Sequence, residues 1–317
     1  MYPKILRHLQ KYKPILENKR EAQEGKLPWY SMHWARTKDL FEGEKIVVSK
    51  WPMSNDFGYS NGDFYSDANT YIIKKKPAIK ESLKYILAVL NSSVLRFYFE
   101  CKGSRRGDKY FFPSELCEKL PIKPIKTKDE QKIHDKLVEL VDEMIIERTK
   151  LLNLTPFIGD KRFIDNKYFE DTIPDFDEKE IVHNLGWSAA RPIKQNDSIK
   201  YSLGTIEPDN FVLNKVQLIE ETLFEKQSSL RLVAANGNIV ELHADLKIIE
   251  LLKQLIEDYR GHTLKEILED VEIPLKPNTM ETKKKEISGE IKSVTKRITQ
   301  LQNKMDELVM QLYDVKL

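Results

Sequence analysis

One apolar run sets the tightest condition on what this chain can fold into. Ile287, Ile291, Val294, Ile298, Leu301, Met305, Leu308 and Leu312 follow one another at intervals of four and three without a fault. Such spacing lays a single apolar stripe along a helix, and the stripe needs another helix to cover it. The pattern predicts a helix over 282–313. A second stripe lies earlier in the chain, with Ile133, Leu137, Leu140, Met144, Leu151 and Leu154 in equivalent positions and Glu147 as the one break. It predicts a helix over 130–154. At 1.5 Å per residue each helix spans about 35–45 Å. Heptads alone leave open whether the two helices pair with each other or with those of a second copy.

The rest of the chain is arranged around these helices. With 317 residues, 40% hydrophobic and 32% charged, two or three domains are expected. The fold class is α+β. A mixed α/β domain occupies 1–125 and a first spacer helix 126–155. A small inserted α+β domain covers 156–278, and a C-terminal coiled-coil helix covers 279–317. The two long helices are expected to run antiparallel.

Within 1–125, Ile5, Leu6, Leu9, Tyr12, Ile15 and Leu16 mark a helical stripe over 1–20, interrupted by Pro14. Residues 45–50 and 69–74 read as strands, and 51–64 between them as a polar and aromatic loop with turn signals at Gly58 and Gly62. An apolar helix follows, carried by Tyr85, Leu87, Ala88, Leu90, Val94, Leu95 and Phe97, with Asn91, Ser92 and Ser93 able to end or bend it. Next come a cationic loop with Lys102, Arg105, Arg106 and Lys109, and the aromatic run Tyr110-Phe111-Phe112. The chain leaves this domain through Leu120-Pro121-Ile122.

In 156–278, the stretch 161–197 reads as loop-rich. Four strands follow, with an Asn236-Gly237-Asn238 hairpin turn before the last. Then come a helix over 245–259 and a short helix whose Thr263 and Glu266 form a capping-box pattern. Residues 273–277 read as a linker.

Charge is unevenly placed. Residues 1–128 hold 25 Lys and Arg against 14 Asp and Glu, and the remainder holds 27 against 36. A basic half within a nearly neutral chain points to a polyanionic partner, although lysine-rich surfaces also arise simply as solvated faces. Arginines suit such a partner because a guanidinium donates in pairs to guanine or a phosphate. The candidate DNA-binding residues are Arg36, Lys38, Lys50, Asn55, Lys102, Arg105, Arg106 and Lys109. Asn61 and Asp63 share the glycine-containing loop, but Asn61-Gly62 is also the signature of a plain turn.

Catalytic patterns are missing from the sequence. There is no G-x-G loop to approach a nucleotide cofactor and no Asn-Pro-Pro-Tyr tetrapeptide to grip a flipped base. Asp270 with Glu281-Thr282-Lys283 matches a metal-nuclease pattern only loosely. His8, His33, His134, His183, His243 and His262 show no ligand spacing. Cys101 and Cys117 make neither a disulfide framework nor a zinc site. No catalytic residue, metal or cofactor is expected in this segment. With no membrane span and no signal sequence at the start, a cytoplasmic location is expected. Tyr2-Pro3 begins abruptly, as in a piece of a longer chain.

Residues 1–125 resemble the TaqI-like C-terminal specificity domain, the target-recognition region of type II and type IIG adenine-N6 DNA methyltransferases. The resemblance rests on Tyr2-Pro3 with Leu6, Leu9 and Tyr12; Arg20; Pro28-Trp29-Tyr30 with Arg36; Lys45-Ile46; Tyr71-Ile72-Ile73; and above all Tyr85–Ser92 leading to Leu120-Pro121-Ile122. Met305-Asp306-Glu307-Leu308-Val309 with Leu312-Tyr313 is similar to the way that family's chains close. The paired helices resemble the spacers of type I specificity subunits. The resemblance implies a module that selects a duplex DNA site for an upstream methyltransferase domain, in the same chain or a separate subunit. That domain would use S-adenosylmethionine, with or without an attached endonuclease. It leaves 156–278 unexplained. A coiled-coil interaction scaffold, a stand-alone specificity subunit and a divergent nuclease are the competing readings.

Overall fold

The computed structural model describes residues 3–31, 37–67, 69–111, 113, 118–158, 176–186, 188–219 and 228–315. Helix and strand are mixed, and the chain divides into two compact units, Met1–Asp142 with Asn303–Leu317 and Glu143–Gln302.

The first unit opens with helix α1 (Pro3–Gln10) and two single turns, Lys13–Leu16 and Arg20–Gln23. Pro14 falls in the first turn of the second piece, where its missing N–H has no intrahelical partner to lose. The expected 1–20 stripe is therefore two helices. It also covers little: α1 buries no residue, and Ile5, Tyr12 and Ile15 are exposed.

Strand β1 (Glu44–Ser49) is the centre of a three-stranded antiparallel sheet between β2 (Gly58–Asn61) and β3 (Thr70–Ile73). β2 corrects the expectation of an uninterrupted loop over 51–64; its sequence Gly-Tyr-Ser-Asn is too short and polar to announce a strand. Lys45 of β1 is fully buried. Its ammonium donates to the Gly43 carbonyl at 2.9 Å and to the Gly62 carbonyl, so the charge is solvated by backbone oxygens.

The apolar helix comes in two parts, α2 (Leu83–Leu90) and α3 (Ser93–Lys102). Ser82 caps the first and Ser92 the second, each hydroxyl accepting a backbone N–H. The break between them is fastened from outside. Asn91 accepts from Phe57 N at 2.8 Å and donates to Phe57 O at 2.9 Å. Asn55 donates to the carbonyls of Leu90 and Ser92 at 2.7 and 2.9 Å. The bond to Leu90 O satisfies a carbonyl at the end of α2, and Ser92 O also accepts the first bond of α3 from Arg96 N at 3.0 Å.

After α3 the chain forms a hairpin, β4 (Ser104–Arg106) and β5 (Lys109–Phe111), then reaches the long helix α4 (Lys128–Leu154) through Leu120-Pro121-Ile122. The α4 start is a capping box: Thr127 Oγ1 accepts from Glu130 N, and Glu130 accepts from the N–H groups of Thr127 and Lys126 at 2.9 and 2.8 Å. The last turn of the C-terminal helix closes on this exit. Tyr313 accepts from Lys123 N at 3.0 Å and donates to Pro121 O at 2.5 Å, while Lys123 Nζ reaches Leu312 O at 2.6 Å.

The second unit holds β6 (Ala190–Pro192) and a four-stranded antiparallel sheet of β7 (Lys200–Tyr201), β8 (Leu213–Ile219), β9 (Ser228–Ala234) and β10 (Ile239–Ala244), in the order β7-β10-β9-β8. Helices α5 (Leu246–Glu257) and α6 (Leu264–Asp270) follow, the latter with the expected capping box. Strand β11 (Glu272–Pro274) pairs with β6, where a linker was expected. Leu230, Leu232, Val240 and Leu242 of the sheet share one apolar core with Ile249, Leu252 and Ile256 of α5. Of the expected loop-rich stretch 161–197, residues 161–175 and Trp187 lie outside the described residues, and the rest holds the short helix Glu178–His183 as well as β6.

The last helix, α7 (Thr279–Tyr313), carries the opening stripe. Ile287, Ile291, Val294 and Ile298 join Leu151 and Leu154 of α4 in the core of the second unit. Seven of the eight seam residues are buried; at the eighth place Val309 is fully buried instead of Leu308. The buried series thus runs 301, 305, 309, 312, which is an eleven-residue step. A helix with 3.6 residues per turn drifts away from a strict seven-residue repeat, and an eleven-residue step follows it more closely.

Candidate nucleic-acid interface

The cationic segment after α3 is a β-hairpin and not an irregular loop. Ser104 pairs with Phe111, Arg105 with Tyr110 and Arg106 with Lys109. Gly107, the first of the two connecting residues, has φ 61°, the conformation a type II′ turn asks of that position. Gly103 serves differently. A Cβ there would lie 2.6 Å from the Phe99 carbonyl, so only glycine lets the hairpin leave α3 so closely. Its base is pinned: Gly103 N donates to Phe99 O at 2.7 Å, Tyr110 N donates to Pro52 O at 2.8 Å, and the Trp51 and Phe111 rings lie 4.7 Å apart.

Side chains alternate along the hairpin. Tyr110 is buried, and Arg105 opposite it lays its guanidinium 4.8 Å from the ring centroid while donating to the Tyr110 hydroxyl. Lys109 is exposed on the other face, and Lys102 is exposed at the end of α3. Among the described residues, none of Lys102, Arg105 and Lys109 has a carboxylate within ion-pair distance. Arg106 stands in β4 opposite Lys109.

The remaining candidates differ in their surroundings. Lys38 sits in the single turn Lys38–Phe41 and is paired with Glu42 at 2.7 Å, which raises its pKa. Lys50 is half-buried, its ammonium 5.3 Å from the Tyr71 ring centroid. Arg36 lies outside the described residues. Asn55 needs a correction as a base-reading residue: it is buried, and its amide nitrogen already serves the Leu90 and Ser92 carbonyls. Asn61 belongs to β2 opposite Glu44.

Beside the hairpin, an open cleft of about 300 Å³ is lined in part by Ser54, Arg96, Glu100, Arg105 and Asp108. Arg96 is a residue the sequence reading passed over. It projects from α3, half-buried, and donates to Ser54 Oγ at 3.1 Å. Arg96 and Glu100 stand four apart on one helix, a spacing that in sequence alone reads as a surface ion pair. Among the described residues neither one forms an ion pair.

Elsewhere in the described residues no cluster of His, Cys, Asp and Glu could hold a metal ion, and no helix is long and apolar enough to cross a membrane. Glu281 of the loose nuclease pattern is engaged by Lys247 at 2.7 Å. Cys101 is exposed as a free thiol; Cys117 lies outside the described residues.

Residues 9–122 match the family model of the TaqI-like C-terminal specificity domain. The type II methyltransferase M.HincII of Haemophilus influenzae is 29% identical over 149 residues, covering 44% of this chain and 30% of the relative. M.HindII of Haemophilus influenzae (strain ATCC 51907 / DSM 11121 / KW20 / Rd), likewise a type II methyltransferase, is 29% identical over 149 residues, 44% of this chain and 29% of its own length. The match thus spans under a third of either relative. Among solved structures, the S subunit of a type I restriction-modification system from M. genitalium aligns over 86% of this chain and 83% of its own, at 12% identity and a TM-score of 0.31, a likeness too slight to bear on the fold.

Proposed function

We propose that this chain is the DNA sequence-recognition part of a type II or IIG restriction-modification enzyme. In this reading it places an S-adenosylmethionine-dependent adenine-N6 methyltransferase domain, and any endonuclease attached to it, on the target duplex. The recognition domain is 1–125, the helices 126–155 and 279–317 are spacers, and 156–278 is an insert between them. The specificity-domain match carries the assignment to restriction-modification. What supports duplex DNA as the ligand is the hairpin: Lys102, Arg105 and Lys109 stand on a pinned scaffold with no carboxylate partner among the described residues, so their charge is available to a polyanion. Arg36, Lys38, Lys50 and Arg106 would add contacts around it. Catalysis and the cofactor belong to the methyltransferase domain; this chain contributes position.

The test is duplex binding by the full chain at several salt concentrations. Binding should weaken linearly on a log–log plot, and Arg105→Ala with Arg106→Ala should flatten the slope by about one for every phosphate the variant no longer holds. Unchanged affinity and slope in that double variant would remove the hairpin from the interface.

A further inference from the structure

The cleft beside the hairpin contains both signs of charge, and that mixture separates two ways of touching DNA. A phosphate presents only acceptors, so carboxylates next to it are repelled. A base-pair edge presents both kinds of group: guanine N7 and O6 accept, while the cytosine N4 and adenine N6 amino groups donate. The cleft offers Arg96 and Arg105 as donors and Glu100 and Asp108 as acceptors. Among the described residues, neither carboxylate is engaged in an ion pair with the arginines beside it or with any other cation. The acids are therefore still free to accept from a ligand.

The arginines are also held in place. Arg105 stacks on Tyr110 and bonds its hydroxyl, and Arg96 bonds Ser54 at 3.1 Å. A guanidinium has five N–H donors, so each keeps several for a ligand after these contacts. Bidentate reading of a base needs a fixed guanidinium plane. Lys102 and Lys109 differ: they do not line the cleft, and a flexible ammonium serves as a point charge.

We infer that this cleft reads the edge of a base pair, with Arg96 and Arg105 donating and Glu100 and Asp108 accepting, while Lys102 and Lys109 hold the backbone phosphates. The inference rests on duplex DNA being the partner and goes further, dividing the interface into a reading part and a gripping part.

The experiment uses the full chain and a pool of duplexes with a randomised centre, sequencing what binds. The unaltered chain should enrich a motif. Glu100→Gln and Asp108→Asn, which keep shape and remove acceptor charge, should change or erase the preference at one or two adjacent positions. They should lower affinity for the best site roughly 5- to 150-fold and leave the salt slope as it was. Lys102→Ala and Lys109→Ala should retain the motif and flatten the slope by about one each. The inference is overturned if Glu100→Gln and Asp108→Asn keep the motif intact, and most plainly if they tighten binding to all duplexes alike, since the acids would then only be repelling the backbone. No duplex binding by the unaltered chain would instead overturn the recognition function itself. All four residues changed are exposed, so loss of folding does not confuse the outcome.

Discussion

Two hairpins in this molecule begin from the same device and use their arginines in opposite ways. β9–β10 and β4–β5 each turn through a glycine of positive φ, Gly237 at 88° and Gly107 at 61°, and each carries an arginine facing a directly opposed residue. In β9–β10 the opposed residue is Glu241, whose Oε1 accepts from Arg231 Nε and Nη2 at 2.9 and 2.7 Å. In β4–β5 it is Tyr110, which fixes the direction of Arg105 and leaves its charge unneutralised. Beneath β9–β10 lies a continuous apolar core. β4–β5 is held instead by backbone bonds to Pro52 and Phe99 and by the Trp51 ring against Phe111. Where apolar packing fixes a hairpin, its arginine can be absorbed by an ion pair. Where a hairpin presents its arginine, an aromatic partner positions the guanidinium without cancelling it.

The contrast can be broken at several points. The largest effect belongs to Leu230→Ala, because Leu230 is fully buried between Leu218 and Leu242. It should cost about 2–5 kcal/mol in denaturant unfolding, and a loss below about 1 kcal/mol would mean the core under β9–β10 is loose. The glycine changes come next. Gly237→Ala and Gly107→Ala each force a side chain into left-handed backbone at roughly 1–2 kcal/mol. The first should appear in melting temperature alone. The second should also weaken duplex binding, because it re-aims Arg105; equal effects of the two on binding would end the distinction.

A smaller effect is that of the Arg231–Glu241 pair, which is partly exposed. A double-mutant cycle to alanine should give a coupling of about 0.2–1 kcal/mol. The same cycle on Arg105 and Tyr110 should show its coupling in duplex affinity.

Last come the two capping boxes, one in each unit. Glu130 accepts from the N–H groups of Lys126 and Thr127 and from Lys123, which brings its pKa from the ordinary 4.5 to about 2. Glu266 is lowered by the Thr263 N–H and hydroxyl. A carboxyl lowered by folding adds stability that is complete above its unfolded pKa and is lost as pH falls through the folded one. The melting-temperature gap between the unaltered chain and Glu130→Gln should therefore shrink from about pH 4.5 to about pH 2. A gap that does not vary with pH would show that the cap works without its charge.

What was legible in the sequence follows this same division. Periodicity and local chemistry marked α5, the Thr263 capping box, the Asn-Gly hairpin and the long stripe, because apolar burial writes itself into spacing. Val309 takes the seam place of Leu308 because a helix of 3.6 residues per turn drifts from a seven-residue repeat. In the first unit the contacts that fasten α2, α3 and the loop before them are polar and distant in sequence. Asn55 looked like a loop residue; its partners, the Leu90 and Ser92 carbonyls, lie 35 and 37 residues away, and no local pattern reports such a bond. β2 was hidden for a similar reason, since its four residues become a strand only beside β1. The four cations at the end of α3 and on the hairpin were visible as composition, whereas the cleft with Arg96, Glu100 and Asp108 exists only once α3 and the hairpin are folded together.

The hydrogen bond between Tyr313 and Lys123 joins residues 190 apart in sequence, and the whole of 143–302 is synthesised between them. A ribosome releases that intervening unit while the first still lacks its last helical turn. The order of emergence thus lets the acidic insert fold on its own, and closing so long a loop adds only a logarithmic entropy cost. Completion of the first unit has to wait for Tyr313 to emerge: a nascent chain stalled after the hairpin but before Tyr313 lacks the clasp that finishes its domain.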